Sequence, residues 1–181
     1  MRIVAGKYRG KKLFSPQDNA IRPTSDRSRE AIFNILNSKL SSNWTDYNLS
    51  DVFDGSGAFG LEAISRGINS VIFIDINPNL VRKNAALFPL EKNKIKIMTA
   101  DATNLPRITQ KINLAFLDAP YNKELSKKTL ESLHNKEWLD DEAICIVETE
   151  KKEKILAPNC FELIDERVYG LAKFSFFVYH K

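Results

Sequence analysis

Short apolar runs alternate with amphipathic stretches from residue 49 onward. The runs in LSDVFD, SVIFID, KIKIMTAD, INLAFLD and AICIVETE have the length and composition of buried strands. Between most of them lie stretches with apolar residues at helical spacing, namely GLEAISRG, NPNLVRKNAALF and SKKTLESLHN. Apolar strands separated by amphipathic helices predict an α/β fold with a mainly parallel sheet that is covered on both faces.

Both ends of the chain depart from this alternation. FELIDERVYG and AKFSFFVYH are strand-like runs joined at Gly170, which predicts a C-terminal antiparallel hairpin that completes a seven-stranded sheet. RIVAGKYRGKKLFSP has short β-type runs broken by Gly6 and Gly10, which predicts a small N-terminal hairpin. The following RPTSDRSREAIFNIL predicts a helix from about Ser25 to Leu40.

The length of 181 residues suits one domain, residues 1–181. We divide it into an N-terminal extension, residues 1–40, and a core, residues 49–181. No apolar stretch is long enough to span a membrane, and the first residues carry charges where a signal peptide needs an apolar run, so we expect a cytoplasmic protein. The two cysteines lack paired spacing and there are only two histidines, so we expect no metal site.

Positive charge is concentrated at the start of the chain. Residues 1–29 contain eight basic and two acidic residues, while the rest of the chain is slightly acidic. This pattern predicts an arm that contacts a polyanion, although a merely solvated arm remains the alternative. The candidate contacts are Arg2, Lys7, Arg9, Lys11, Lys12, Arg22, Thr24 and Arg27.

The segment DVFDGSGAFG, residues 51–60, joins a strand to a helix through glycines. Gly55 and Gly57 allow a ligand to approach the backbone at the helix N-terminus, and Asp75, at the end of the next strand, is placed to bind ribose hydroxyls. An adenosine-type cofactor is therefore expected, with a tight turn that binds nothing as the alternative. NAD also fits GSGAFG, but Asp51 favours a cofactor with cationic groups over a pyrophosphate. Asp101 is a candidate for the adenine amino group or a turn residue.

The segment LDAPYN, residues 117–122, follows the fourth strand at the same edge. An exocyclic amine of a base is a poor nucleophile, and the Asp118 carboxylate with the Ala119 carbonyl could accept its hydrogens. Pro120 biases Ala119 toward an extended conformation, and Tyr121 offers a face on which an extruded base can stack. These residues predict amine methylation rather than hydride transfer, although rim packing is the alternative for Tyr121.

DVFDGSGAFGLEAISRG, VIFIDINP and LDAPYN resemble the class I S-adenosylmethionine methyltransferases with an Asp-Pro-Pro-Tyr type motif. MRIVAGKYRGKKL with RPTSDRSREAIFNIL is similar to the opening of the RsmD family, which methylates guanine N2 in bacterial 16S ribosomal RNA. The resemblance implies that Asp118, Ala119, Pro120 and Tyr121 hold the amine. It implies a cofactor site formed by Asp51, Phe53, Gly55, Ser56, Gly57, Asp75, Ile76, Asp101 and Ala102.

The resemblance implies a Rossmann-like methyltransferase that acts, as a monomer, on 16S ribosomal RNA or on the assembling small subunit. Two positions depart from the family pattern: Ala119 stands where proline is usual, and Asp54 adds a negative charge to the glycine segment. We expect activity despite Ala119 because its carbonyl is kept. The alternatives are an N6-adenine DNA methyltransferase, which would share the amine-binding residues, and a non-catalytic assembly factor that binds ribosomal RNA.

Overall fold

The computed structural model describes residues 1–16, 25–40, 43–53, 55–120 and 124–181. The strands are β1 (Asn48–Val52), β2 (Ser70–Asp75), β3 (Ile95–Thr99), β4 (Ile112–Leu117), β5 (Leu139–Glu150), β6 (Phe161–Tyr169) and β7 (Ala172–Tyr179). The helices are α1 (Asp26–Lys39), α2 (Ala58–Ser65), α3 (Asn79–Ala85) and α4 (Leu125–Asn135). Short 3₁₀ segments lie at Trp44–Asp46, Pro89–Lys94 and Ala102–Asn104.

All seven strands form one sheet in the order β3-β2-β1-β4-β5-β7-β6. The pairs among β1 to β5 are parallel, and β7 runs antiparallel to both of its neighbours. Chain order changes direction between β1 and β4, because β2 and β3 extend the sheet one way and the chain then crosses back. Ligands of open α/β sheets bind beyond the carboxyl ends of the strands at such a point.

The sheet separates two apolar cores, since consecutive strand residues point to opposite faces. One core packs α1, α2 and α3 with inward residues such as Leu49, Phe73 and Phe116. The other packs α4 against the alternate residues, among them Val52 and Leu117. Helices cover both faces, as the alternating pattern predicts. Cys145 is buried in the second core, as its apolar neighbours suggest.

The N-terminal arm, residues 1–16, is a short antiparallel loop with one bridge between Arg2 and Lys12. Its backbone follows α2 closely: the Val4 and Ala5 N–H groups donate to the Glu62 carboxylate over 2.7 and 2.9 Å. The Lys7 N–H donates to the Ser65 carbonyl over 2.8 Å. The arm is therefore attached along the helix that begins at the glycine segment.

The predicted fold class is confirmed, including the C-terminal antiparallel pair. The first helix begins and ends within one residue of its predicted bounds, and Ser25 caps it by accepting from the Ser28 N–H. The division into one domain stays a prediction. Among the described residues, no helix is long and apolar enough to cross a membrane.

Candidate active site

The carboxyl ends of four strands meet at one edge of the sheet. Val52 pairs with Ile74 on one side and with Leu117 on the other. The ladders continue past the strands, because the Phe53 N–H donates to the Ile74 carbonyl over 3.0 Å and the Asp118 N–H donates to the Val52 carbonyl over 3.1 Å. The predicted cofactor segment and the predicted amine-binding segment thus begin side by side at the switch point.

The glycine loop, residues 53–57 with Asp54 outside the described residues, has a constrained backbone. Phe53 adopts a φ of 65°, which is unusual for a residue with a side chain and is often found at functional sites. Gly57 has a φ of 74° and precedes α2 as its N-cap. A Cβ added at Gly55 would meet no heavy atom within 4 Å, so this part of the loop borders open space.

Asp51 lies below this loop rather than in the open space. Its side chain is fully buried, and one carboxylate oxygen accepts from the Gly60 N–H over 2.6 Å. A Cβ at Gly60 would approach both Phe73 and that carboxylate, so glycine is needed for α2 to pack there. Asp51 therefore stabilises the first turn of α2. Its predicted contact with a cofactor stays a prediction.

Asp75 and Ile76 follow β2 at the same edge. The Asp75 carboxylate accepts from the Asn77 N–H over 2.7 Å, which fixes the turn after the strand. Ile76 is 76% exposed, although it is large and apolar. A carboxylate beside an exposed apolar side chain suits a ligand with hydroxyl groups and a flat ring.

Asp101 caps the 3₁₀ turn at Ala102–Asn104. Its carboxylate accepts from both the backbone N–H and the hydroxyl of Thr103, over 2.8 and 2.7 Å, and these bonds lower the pKa of Asp101. Ala102, the first residue of this turn, is buried. Asp101 is thus a turn-capping residue, which was one of the two alternatives for it. Its side chain is exposed, and its contact with an adenine amino group stays a prediction.

The amine-binding segment is described up to Pro120. Asp118 is half-buried, Ala119 is buried and Pro120 is exposed. Tyr121 lies outside the described residues, so base stacking on its ring stays a prediction. The segment leaves the sheet beside the glycine loop, which brings the two predicted functional segments together.

The predicted RNA-contacting residues divide into two groups. Lys7 and Lys11 are engaged with the protein itself: Lys7 Nζ lies 2.8 Å from the Glu91 carboxylate, and Lys11 Nζ donates to the Leu87 carbonyl over 2.7 Å. Arg2 Nε lies 3.5 Å from the Asp26 carboxylate, but the Arg2 side chain is largely exposed. The remaining described candidates, which are also exposed, are Arg9, Lys12 and Arg27. Arg22 and Thr24 lie outside the described residues.

Two polar clusters were missed by sequence reasoning. Glu62 and Arg29 are fully buried, and Arg66 donates to Glu62 over 2.9 Å. Asn84 is also fully buried and bonds both to the arm and to the glycine loop. A charged residue inside the apolar stretch GLEAISRG was a signal for the first cluster, but the sequence has no comparable signal for Asn84.

Two solved structures that share this architecture are named as putative methyltransferases. A putative methyltransferase from Escherichia coli has a TM-score of 0.83 and 27% identity, covering 100% of this chain and 98% of that one. A putative methylase from Haemophilus influenzae has a TM-score of 0.80 and 25% identity, covering 99% and 98%. The fold, with its loops gathered at the switch point, defines this protein as a methyltransferase.

Sequence relatives narrow the class to a family. A family model described as "Conserved hypothetical protein 95" matches residues 1–178. Ribosomal RNA small subunit methyltransferase D of Escherichia coli K12 is 33% identical over 178 residues, covering 94% of this chain and 85% of the relative. The Haemophilus influenzae protein of that name is 28% identical, covering 98% and 93%. The chain belongs to this family, as the resemblance of its motifs predicted.

Proposed function

We propose that this protein transfers a methyl group from S-adenosylmethionine to the exocyclic N2 of a guanine in small-subunit 16S ribosomal RNA, in the cytoplasm. The observation that carries the proposal is the meeting of the glycine loop, Asp75 and the Asp118 segment at one edge of the sheet. The names of the relatives support ribosomal RNA as the substrate.

The residues of the cofactor side fit an adenosine-containing ligand with an amino-acid part. Asp75 would accept hydrogen bonds from ribose hydroxyls, and the exposed Ile76 side chain would cover one face of the adenine. The open space at Gly55 leaves room near the backbone of the glycine loop. When bound, S-adenosylmethionine supplies a methyl group on a sulfonium.

The amine side depends on Asp118 and Ala119. Two acceptors on the amine hydrogens would turn the nitrogen lone pair toward the methyl donor, and the Asp118 carboxylate would stabilise the positive charge that develops on nitrogen. Positioning accounts for most of the remaining acceleration. Pro120 still biases Ala119 toward an extended conformation that presents its carbonyl, whereas a proline at position 119 would restrain Asp118. The missing proline should therefore modulate the rate rather than abolish it.

The activity test is methyl transfer from labelled S-adenosylmethionine to three substrates: naked 16S ribosomal RNA, isolated small subunits and duplex DNA. Mapping the modified nucleotide in RNA from cells with and without the gene identifies the target. Label in DNA alone would indicate an adenine methyltransferase instead. No label in any substrate, with RNA still bound, would indicate a non-catalytic assembly factor.

Asp75→Ala should weaken S-adenosylmethionine binding by about 1.5 to 3 kcal/mol, which is the usual contribution of a hydrogen bond to a charged group. Calorimetry measures the change. Asp140→Ala is the matched control, because Asp140 is exposed on β5 at the other end of the sheet's strands. Unchanged affinity in a folded Asp75→Ala variant would remove Asp75 from the cofactor site.

Asp118→Ala should separate binding from chemistry. We expect cofactor affinity to stay within a factor of about two to three and the single-turnover rate to fall at least about 100-fold, the scale of losing one group that stabilises a transition state. Ala119→Pro should keep or modestly raise the rate. Near-normal turnover in Asp118→Ala would rule out the amine-binding role.

A further inference from the structure

The Asn84 side chain connects the N-terminal arm to the glycine loop. Its Oδ1 accepts from the Phe14 N–H over 2.8 Å, and its Nδ2 donates to the Phe14 carbonyl over 3.1 Å. The same Nδ2 donates to the Ser56 carbonyl over 2.7 Å. Both hydrogens and the carbonyl oxygen of this amide are therefore engaged, and every partner belongs to the arm or to the loop.

The contacts of Asn84 depend on one another. It lies in α3 and is fully buried, so water cannot readily replace a lost partner. Leaving a buried polar group without its partner is costly, which makes the three bonds interdependent. A shift of Phe14 would thus disturb the Ser56 carbonyl through one side chain.

A second contact joins the same loop residue to the arm. The Ser56 hydroxyl lies 3.8 Å from the Met1 sulfur, and the Leu13 N–H donates to the Met1 carbonyl over 3.1 Å. Ser56 is thus flanked by both ends of the arm. The arm also carries the exposed cations Arg9 and Lys12, which are candidates for phosphate contacts.

We propose that Asn84 is a positioning residue that couples RNA binding on the arm to cofactor binding at the glycine loop. Each ligand orders a part of the same hydrogen-bonded unit, so the second ligand meets a loop or an arm that is already fixed. The coupling must be reciprocal: RNA tightens cofactor binding by the same factor by which the cofactor tightens RNA binding. This inference rests on the proposed function, because it takes RNA and the cofactor as the two ligands.

The experiment measures S-adenosylhomocysteine affinity by calorimetry with and without 16S ribosomal RNA, and RNA affinity by filter binding with and without S-adenosylhomocysteine. In wild type we expect each ligand to tighten the other by about fivefold or more, the lower range of measured couplings. In Asn84→Ala the factor should fall to about one. A variant with only a structural defect would bind both ligands more weakly but would keep the wild-type coupling factor.

Two further variants make the result specific. Glu91→Gln removes the charge that pairs with Lys7, which loosens the arm at a place that does not bond to the glycine loop, and it should keep the wild-type coupling factor. Phe14→Pro removes the N–H that donates to Asn84 Oδ1, so it should reduce the coupling factor as Asn84→Ala does. If Asn84→Ala does not fold, the Phe14→Pro variant tests the coupling in its place.

Hydrogen exchange gives a readout that is independent of activity. The Ser56 and Gly57 amides should gain protection when RNA alone is added to wild type, and not in Asn84→Ala. Wild type that binds both ligands without mutual effect would overturn the coupling and leave the proposed function intact. Wild type that binds no S-adenosylhomocysteine would overturn the proposed function itself.

Discussion

Glu62 is a carboxylate without access to water in the middle of an apolar helix. Desolvating such a charge is costly, and here the cost is offset by two backbone N–H groups of the arm and by Arg66. Arg29 is buried beside it, with Nε 3.8 Å from the carboxylate. One residue thus joins α2, α1 and the arm, so its contribution depends on all three being in place.

Glu62→Ala should lower the free energy of unfolding by about 3 to 5 kcal/mol, because it breaks a buried charge network. It removes the acceptor of two backbone N–H groups of the arm and leaves the buried Arg29 guanidinium with the Asp26 carboxylate, 2.9 Å from its Nη2, as its remaining counter-charge. Urea denaturation measures this loss. Glu131→Ala removes a half-exposed partner of Lys127 on α4 and should cost no more than about 0.5 kcal/mol. A loss below about 1 kcal/mol in Glu62→Ala would mean that the cluster adapts without this carboxylate.

The Lys7–Glu91 pair gives a pH dependence with a defined sign. The hydrogen bond from Lys7 holds the pKa of Glu91 below its ordinary 4.5. A lowered pKa in the folded state stabilises the protein above pH 4.5, and this contribution is lost as the pH falls through the lowered value. The difference in stability between wild type and Glu91→Gln should therefore be constant well above pH 4.5 and shrink as the pH falls below 4.5. A difference that grows on acidification would contradict this sign.

At the scale of elements, the arm depends on a close backbone approach to the end of α2. Gly6 has a φ of 80°, and a Cβ added there would lie 2.0 Å from the Ser65 carbonyl oxygen. The Ser65 hydroxyl donates to the Ala5 carbonyl over 2.6 Å and accepts from the Tyr8 N–H over 2.9 Å. The turn in the arm and the C-terminal turn of α2 are therefore packed backbone to backbone.

Gly6→Ala should detach the arm from α2, because neither backbone can yield without losing its hydrogen bonds. Gly10→Ala is the matched control: its φ of 86° is equally unfavourable for alanine, but the added Cβ meets no atom within 4 Å. We expect Gly10→Ala to cost only the backbone strain of about 1 to 2 kcal/mol and Gly6→Ala to cost clearly more. Urea denaturation with limited proteolysis of the arm measures both. Equal losses would show that the close approach is unimportant.

The elements and the candidate site could be predicted to different depths from the sequence. Strand and helix periodicity is a local property of the sequence, and so is the position of the glycines, Asp75 and Asp118 at strand ends. The elements and these positions could therefore be predicted, while the functional roles of the residues stay a prediction. Val4, which bonds to Glu62, and Phe14, which bonds to Asn84, lie 58 and 70 residues away from them along the chain. Only the packed fold brings these residues together. Charge alone also does not indicate that Glu91 and the Leu87 carbonyl engage Lys7 and Lys11, and the RNA contacts of these two lysines stay a prediction.

At the scale of the whole molecule, positive charge is concentrated in one part of the structure. The basic segment at residues 1–29 contributes the arm and the start of α1, and both pack on the face of the sheet that carries α2 and α3. The arm touches the glycine loop through Asn84. An RNA held by the exposed cations of the arm would therefore lie beside the switch point of the sheet, where Asp118 leaves β4.

The salt dependence of RNA binding tests which cations carry it. Each phosphate contact releases counterions, so affinity falls linearly with salt on a logarithmic plot, with a slope of about 0.7 to 0.9 per contact. Arg9→Ala with Lys12→Ala should weaken binding and flatten the slope by up to that amount per residue, because both side chains are exposed. Lys11→Ala should change the slope less, since its ammonium is already bonded to the Leu87 carbonyl.

The matched control for this experiment is Lys127→Ala with Lys128→Ala, which removes the same charge from exposed positions of α4 on the opposite face. Filter binding of 16S ribosomal RNA across a salt series measures the slope for both double variants. The control should keep nearly the wild-type slope, because it loses the same net charge as the arm variant but no arm contact. Equal flattening in both double variants would mean that RNA responds to net charge alone. An unchanged slope in Arg9→Ala with Lys12→Ala would mean that the arm is a solvated surface, and the RNA contacts would then have to lie on the core.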